Sequence, residues 1–174
     1  MRKLTGIGIA TAAGLLLVGV AIAGMNGNRS AHLTGAAEVP VRDTQAQGQA
    51  IFQLSQDGMS IDYKLNVANI ENVFMAHIHQ GAAGVNGGVG VWLYPSTTPN
   101  APGPVGAGRI DGRIATGTFD AGDFVGPFAG MTVAQVWALI EGGGAYVNVH
   151  TNDGVDPTNT GPGDFPGGEI RADL

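Results

Sequence analysis

The chain has 174 residues, of which 30 are Gly and 9 are Pro, 44% are hydrophobic and only 13% are charged. That length suits one domain built on a single core. With 8 basic side chains against 14 acidic ones, a net charge of −6 and no Cys, it lacks the dense cationic face that nucleic acid requires. It also has neither a disulfide framework nor a thiolate metal site.

Arg2 and Lys3 open the chain, an uncharged apolar stretch runs on from Leu4, and Ala21-Ile22-Ala23 supplies a small-x-small triplet. A basic head, an apolar middle and a small-residue site in that order predict a signal peptide over residues 1–23. The competing reading is a retained membrane anchor, since Leu4–Ala23 is 20 residues long. Four glycines at 6, 8, 14 and 19 weaken that span as a packed helix, so cleavage is preferred, and contact with a membrane is then transient. Cleavage removes Arg2 and Lys3 and no acidic residue, moving the net charge from −6 to −8. Residues 24–30 read as a short linker, and 31–174 as one domain.

The domain reads as short strands. Ala50–Leu54 and Met59–Val67 alternate apolar and polar residues across Asp57-Gly58, whose preference for positive φ predicts a hairpin. Ile61, Tyr63, Leu65 and Val67 share the core face. Further strands are expected over 73–80, 89–94, 109–119, 146–151 and 169–174. The Gly-rich stretch Gly81–Gly88 separates two of them, and Pro95–Gly108 and Asn152–Phe165 read as excursions from the core. Turn signals at regular spacing predict an all-β antiparallel fold, a sandwich or barrel.

One segment has a different period. Val133, Val136, Trp137 and Ile140 fall at i, i+3, i+4 and i+7, which predicts a short helix over about 133–141. Thr132 and Gln135 are spaced for a capping box, and Gly142 supplies the stop.

Three of the four histidines fall in strands. His77 and His79 are two apart, so both project from one face while Phe74, Ala76 and Ile78 take the core side. In 146–151, Val147 and Val149 face the core and leave Tyr146, Asn148 and His150 opposite. In the final strand Ile170, Ala172 and Leu174 point inward and Glu169, Arg171 and Asp173 outward. With both histidine strands in one sheet, His77, His79 and His150 form a cluster on the non-core surface. Such a set can hold Zn²⁺ at ~2.0–2.1 Å with a position left open, and imidazole suits Cu²⁺ and Ni²⁺ equally. Glu38, Asn148 and Glu169 are candidate further ligands or partners that fix an imidazole tautomer. The plainer alternative is that His77 and His79 hydrogen-bond backbone carbonyls or neighbouring carboxylates and stabilise loops. His32 is incidental to the cluster.

No other constellation competes. Ser and Thr lack a nucleophile-elbow context. The glycines of Gly81–Gly90 open no helix and carry no phosphate-binding Lys. Asp153, Asp156 and Asp164 are not at EF-hand spacing and read as a solvated acidic loop.

Leu33-Thr34-Gly35-Ala36-Ala37-Glu38-Val39-Pro40, Ala76-His77-Ile78-His79-Gln80-Gly81, Tyr146-Val147-Asn148-Val149-His150-Thr151 and Pro166-Gly167-Gly168-Glu169-Ile170-Arg171 together closely resemble the CHRD domain. That module is named after chordin and occurs in many exported prokaryotic proteins. The resemblance spans about 31–174 and implies a secreted all-β domain, an antiparallel Greek-key or immunoglobulin-like β-sandwich, without a settled activity. Two features depart from the family pattern: the inserted Asn152–Phe165, which would sit beside His150, and Arg171-Ala172-Asp173 in place of Arg-Gly. Ala76–Gly81 also resembles the copper segment of Cu/Zn superoxide dismutases, whose cysteines and full histidine set are missing here.

The expected function is therefore an exported binding or structural module, non-enzymatic, secreted, periplasmic or at the cell surface, with copper or zinc at the three histidines. The alternatives are a mononuclear copper or zinc enzyme, or a surface adhesion protein with an extracellular protein partner.

Overall fold

A computed structural model describes residues 27–98 and 100–174. The expected signal peptide over 1–23 and the start of the linker lie outside the described residues. Among those described, no helix is long and apolar enough to cross a membrane.

Eight strands form one sheet: β1 (Asn28–Thr34), β2 (Gln47–Leu54), β3 (Ser60–Glu71), β4 (Val73–Gln80), β5 (Val89–Tyr94), β6 (Arg109–Asp120), β7 (Ala145–Thr151) and β8 (Ile170–Asp173). Their order is β5-β4-β7-β8-β1-β2-β3-β6, and every neighbouring pair is antiparallel. The two end strands, β5 and β6, come into contact, so the sheet curls into a nearly closed, barrel-like sandwich. Tyr63 on β3 spans the interior and donates its hydroxyl to the Leu93 carbonyl on β5 at 2.8 Å.

The expected all-β architecture is thus present. Asn28–Ser30, read as linker from sequence, already pair with Gln53–Ile51 and belong to β1. The β2–β3 hairpin turns through Ser55–Met59, where Gly58 takes φ +69°. The Asp57 carboxylate closes that turn by accepting from the Met59 amide at 3.0 Å and the Ser55 hydroxyl at 2.7 Å.

The helix α1 (Val133–Glu141) has the predicted bounds and capping box: the Gln135 amide donates to Thr132 Oγ1, and the Thr132 amide to Gln135 Oε1. Its apolar stripe places Val133, Val136, Trp137 and Ile140 in the core with Phe52, Leu65, Ile78, Val147 and Ile170.

Register shifts alter the alternation in two places. In β3, Asn69 at φ +55° moves the core side from Val67 to Ile70. In β4 the ladder to β7 is irregular between Val73 and Met75, so Val73 and Ala76 both face the core. Phe74, expected beside Ala76, is instead buried outside the core cluster, edge-on to His150.

Candidate metal centre

The site lies on the face of β4, β7 and β8 opposite the core. The pairing of β4 with β7 sets His77 beside Asn148, His79 beside Tyr146 and Met75 beside His150. The next step in the sheet sets Asn148 beside Arg171. Alternation therefore puts His77, His79, Tyr146, Asn148, His150 and Arg171 on one side, as the period-two reading requires.

This face is not a surface. His77, His79 and His150 are 2%, 7% and 5% exposed, which corrects the expectation of a solvent-facing cluster. Glu169 and Arg171, expected to point outward, are both fully buried. The cover comes from Gly81–Gly88, from the turn after β1, and from Phe165–Gly168 at the end of the long β7–β8 loop. A strand's polar face implies solvent only while nothing packs on it, and here three loops do.

Two histidines have their tautomers fixed by backbone carbonyls. His79 Nδ1 lies 3.0 Å from the Gly87 carbonyl oxygen, and His150 Nδ1 lies 2.9 Å from that of Pro166. A carbonyl only accepts, so each Nδ1 carries the proton and each Nε2 presents its lone pair. His77 Nδ1 lies 3.1 Å from His150 Nε2. Because that Nε2 only accepts, His77 Nδ1 donates to it while no ion is bound. Two nitrogens on one tetrahedral ion at ~2.05 Å stand about 3.3 Å apart, so an ion replacing this proton needs little change of spacing, His77 then carrying its proton on Nε2. One ligand nitrogen from each of His77, His79 and His150 lies within 4.8 Å of the other two.

Burial, reinforced by the neighbouring His150 and His79 rings, pushes His77 down to about 2. Burial likewise takes His150 down to about 4, against the Pro166 carbonyl, and lowers His79 against the Gly87 carbonyl. All three imidazoles are thus held neutral, the state a metal needs.

The buried polar atoms left without a partner include His77 Nε2, His79 Nε2, Asn148 Oδ1 and Glu38 Oε1. With the His79 and His150 protons spent on carbonyls, this group is rich in lone pairs and short of donors. A cation is the kind of group that relieves such a deficit. The residues present therefore fit a bound metal ion.

Glu38 follows the 3₁₀ turn Gly35–Ala37 and is 4% exposed. Burial pushes its carboxyl up to about 7, opposed by the Val39 amide and by Arg171 and Arg42. Gly168, at φ +123°, leaves room for this pair: a Cβ there would stand 2.4 Å from Glu38 Oε1 and 2.9 Å from Asn148 Nδ2. Glu169 does a different job. Its carboxylate accepts from the hydroxyls of Thr44 and Thr151, both at 2.6 Å, and from the Gly163 amide at 2.8 Å. It ties the long loop to the sheet, and its hydrogen bonds go to no imidazole. Among the acidic residues of that loop, Asp164 is buried at 2% exposure and accepts from the Thr160 amide and hydroxyl, unlike the solvated group expected.

A model of the CHRD domain matches residues 29–174. The chain belongs to the CHRD domain family. No curated protein and no solved structure matches it. All four stretches that carry the resemblance meet at this one site of the CHRD domain. The first brings Glu38, the second His77 and His79, the third Asn148 and His150, and the last Gly168, Glu169 and Arg171. The Asn152–Phe165 segment, expected from the resemblance to be an insertion, ends beside His150, where the Phe165 carbonyl accepts from the Thr151 amide at 3.3 Å and the Pro166 carbonyl from the imidazole. Asp173, the other departure, accepts from Arg171 Nε at 2.9 Å and Nη2 at 2.7 Å.

Sequence reasoning passed over the aromatic walls of the site. Trp92 stands edge-on to His77 with ring centroids 4.2 Å apart, and Tyr146 stacks on His79 at 4.6 Å and 9°. Tyr146 was legible as a neighbour through its shared face with His150. Trp92 was not, because β5 pairs with β4 through an irregular register.

Proposed function

We propose that this CHRD protein is exported and binds a transition-metal ion, copper or zinc, through His77, His79 and His150. The observation that carries the reading is the convergence of three neutral, buried imidazoles, two with their lone pairs directed by carbonyls. The basic-apolar-small order of residues 1–23 supports export, as does membership of an extracellular-type domain family. The ion is held chiefly by neutral donors, with Glu38 and Asn148 as polar groups beside it.

Protein purified from the periplasm or medium is expected to carry close to one equivalent of copper or zinc by elemental analysis. Its melting temperature is expected to fall on chelation. No stoichiometric metal after growth with both ions, together with a melt that chelators and added ions leave unchanged, overturns the reading. N-terminal sequencing of the exported chain is expected to begin at Gly24; a start at Met1 overturns cleavage.

A second reading, a mononuclear metalloenzyme, is favoured by one feature. Three ligands leave a coordination position open, and Glu38 Oε1 and Asn148 Oδ1 are unpartnered nearby. Turnover by the metal-loaded protein that disappears in Glu38→Gln with the metal retained would move the protein into that class.

A further inference from the structure

Arg171 is a fully buried cation that the metal-binding reading does not use. Its guanidinium lies 3.5 Å from the centroid of the Tyr146 ring, and the same ring stacks nearly parallel on His79. The same guanidinium holds the glycine-rich loop. Nη2 donates to the carbonyls of Ala82 and Val85, both at 3.2 Å, and Nη1 to Asn86 Oδ1 at 3.2 Å. Asp173 fixes the fork from below through Nε and Nη2.

The loop so held delivers the Gly87 carbonyl to His79 Nδ1. Asn86 Nδ2 anchors the loop on its far side by donating to the Val39 carbonyl at 2.7 Å, next to Glu38. Two routes therefore run from one guanidinium to one imidazole: through the aromatic stack to the ring plane, and through the loop to the ring proton. A planar fork can serve both at once, and an ammonium cannot.

We infer that Arg171 is a positioning residue that, through Tyr146 and the Gly81–Gly88 loop, fixes the tautomer and plane of His79 so that its Nε2 is presented to the ion. This rests on the metal-binding reading for its purpose, but its geometry is testable without metal. His150 takes its proton acceptor from Pro166, outside the reach of this device, and serves as the internal control.

The experiment uses the whole protein with Zn²⁺ as the probe. Long-range ¹H–¹⁵N imidazole spectra of the metal-free protein are expected to show Nδ1-H tautomers at both His79 and His150. In Arg171→Met and Arg171→Lys, His79 is expected to become a mixture of tautomers while His150 keeps its own. Zn²⁺ affinity by chelator competition is expected to drop about 10–100-fold, with no rescue by Lys. Asn86→Ala, in an exposed stretch of the loop, removes that residue's links to both Arg171 and Val39 and is expected to cost about 5–25-fold, as one to two hydrogen bonds do. It carries the test alone if the Arg171 variants do not fold.

An unaltered His79 tautomer and unaltered affinity in the variants that fold overturn the inference. If wild type binds no ion but the His79 tautomer is lost on substitution, positioning stands and the metal reading falls. If wild type binds Zn²⁺ and the variants match it in both measurements, positioning falls and the metal reading stands.

Discussion

Strands β3 and β7 have similar alternating sequences and very different surroundings. In β3, Ile61, Tyr63, Leu65 and Val67 are buried, whereas Asp62 and Lys64 between them are exposed. In β7, all seven residues from Ala145 to Thr151 are buried. The difference is the second face: that of β3 meets solvent, and that of β7 meets loops. A polar residue on β3 is there for solubility, while a polar residue on β7 must find a partner inside the protein. The histidines lie where that requirement is hardest to meet.

Alanine substitutions along each strand test this contrast most strongly. Leu65→Ala is expected to cost about 2–5 kcal/mol, and its neighbour Lys64→Ala to stay within about 0.5 kcal/mol. On β7 the alternation should vanish: Val149→Ala is expected to cost about 2 kcal/mol and Asn148→Ala about 1–3 kcal/mol. Denaturant melts of the four variants check it. A null effect at Asn148 would mean that the second face of β7 is not a packed interior.

The same contrast applies to histidines. His32 is exposed on β1, and His79 is buried on β4. His79→Ala is expected to weaken Zn²⁺ or Cu²⁺ binding at least about 100-fold, since a ligand is lost outright, and His32→Ala to leave it unchanged. Chelator competition reads both, and equal losses would place the ion elsewhere.

Part of this was legible in sequence and part was not, for physical reasons. Period two located β2 to β5, β7 and β8 because each core-facing row is apolar, and the 3.6 period with Thr132 and Gln135 fixed α1. It also put His77, His79 and His150 on one side of one sheet. Alternation reports which residues share a face but not what covers that face. Burial of the cluster, of Arg171 and of Glu169 comes from loops with no periodic signal, held by long-range contacts such as Thr44 to Glu169 and Arg42 Nε to the Gly168 carbonyl. Phe74 was misplaced because an irregular ladder between Val73 and Met75 shifts the phase, which no alternation rule contains. β1 was missed because exposed and half-buried residues interleave along it until Leu33.

The site-bearing face should also make stability depend on pH. His77 is held near 2, His150 near 4 and His79 below its usual value, each mainly by burial. Their unfolded values lie near 6.5. As the pH falls below 6.5, the unfolded chain takes up protons that the folded chain refuses. The metal-free protein therefore loses stability toward acid, by up to about 1.4 kcal/mol per pH unit each for His77 and His150 between 6.5 and their folded values, with His79 acting in the same direction. Glu38 works in the opposite sense. Its folded value near 7 against 4.5 means that the folded chain binds the extra proton between those limits, offsetting one imidazole there. Melting temperature is expected to fall from pH 7.5 to 5.5, with a shallower fall in His77→Gln and no change of slope in His32→Gln. A flat profile in the wild type would mean that these imidazoles reach solvent.

A modest effect is expected at Thr132, and it separates the two faces of β7. The capping box satisfies backbone donors at the start of α1, which packs on the core side of the strand that carries His150 on its other side. Thr132→Ala is expected to cost about 1 kcal/mol in stability. A sheet held by ladders on both edges transmits little of a frayed helix end to its far face, and the imidazoles there take their orientation from Gly87 and Pro166 instead. Metal affinity at neutral pH should accordingly be unchanged in this variant. A loss of affinity as large as that of an Arg171 variant would show that the core side, and not the loops, sets the ligand geometry.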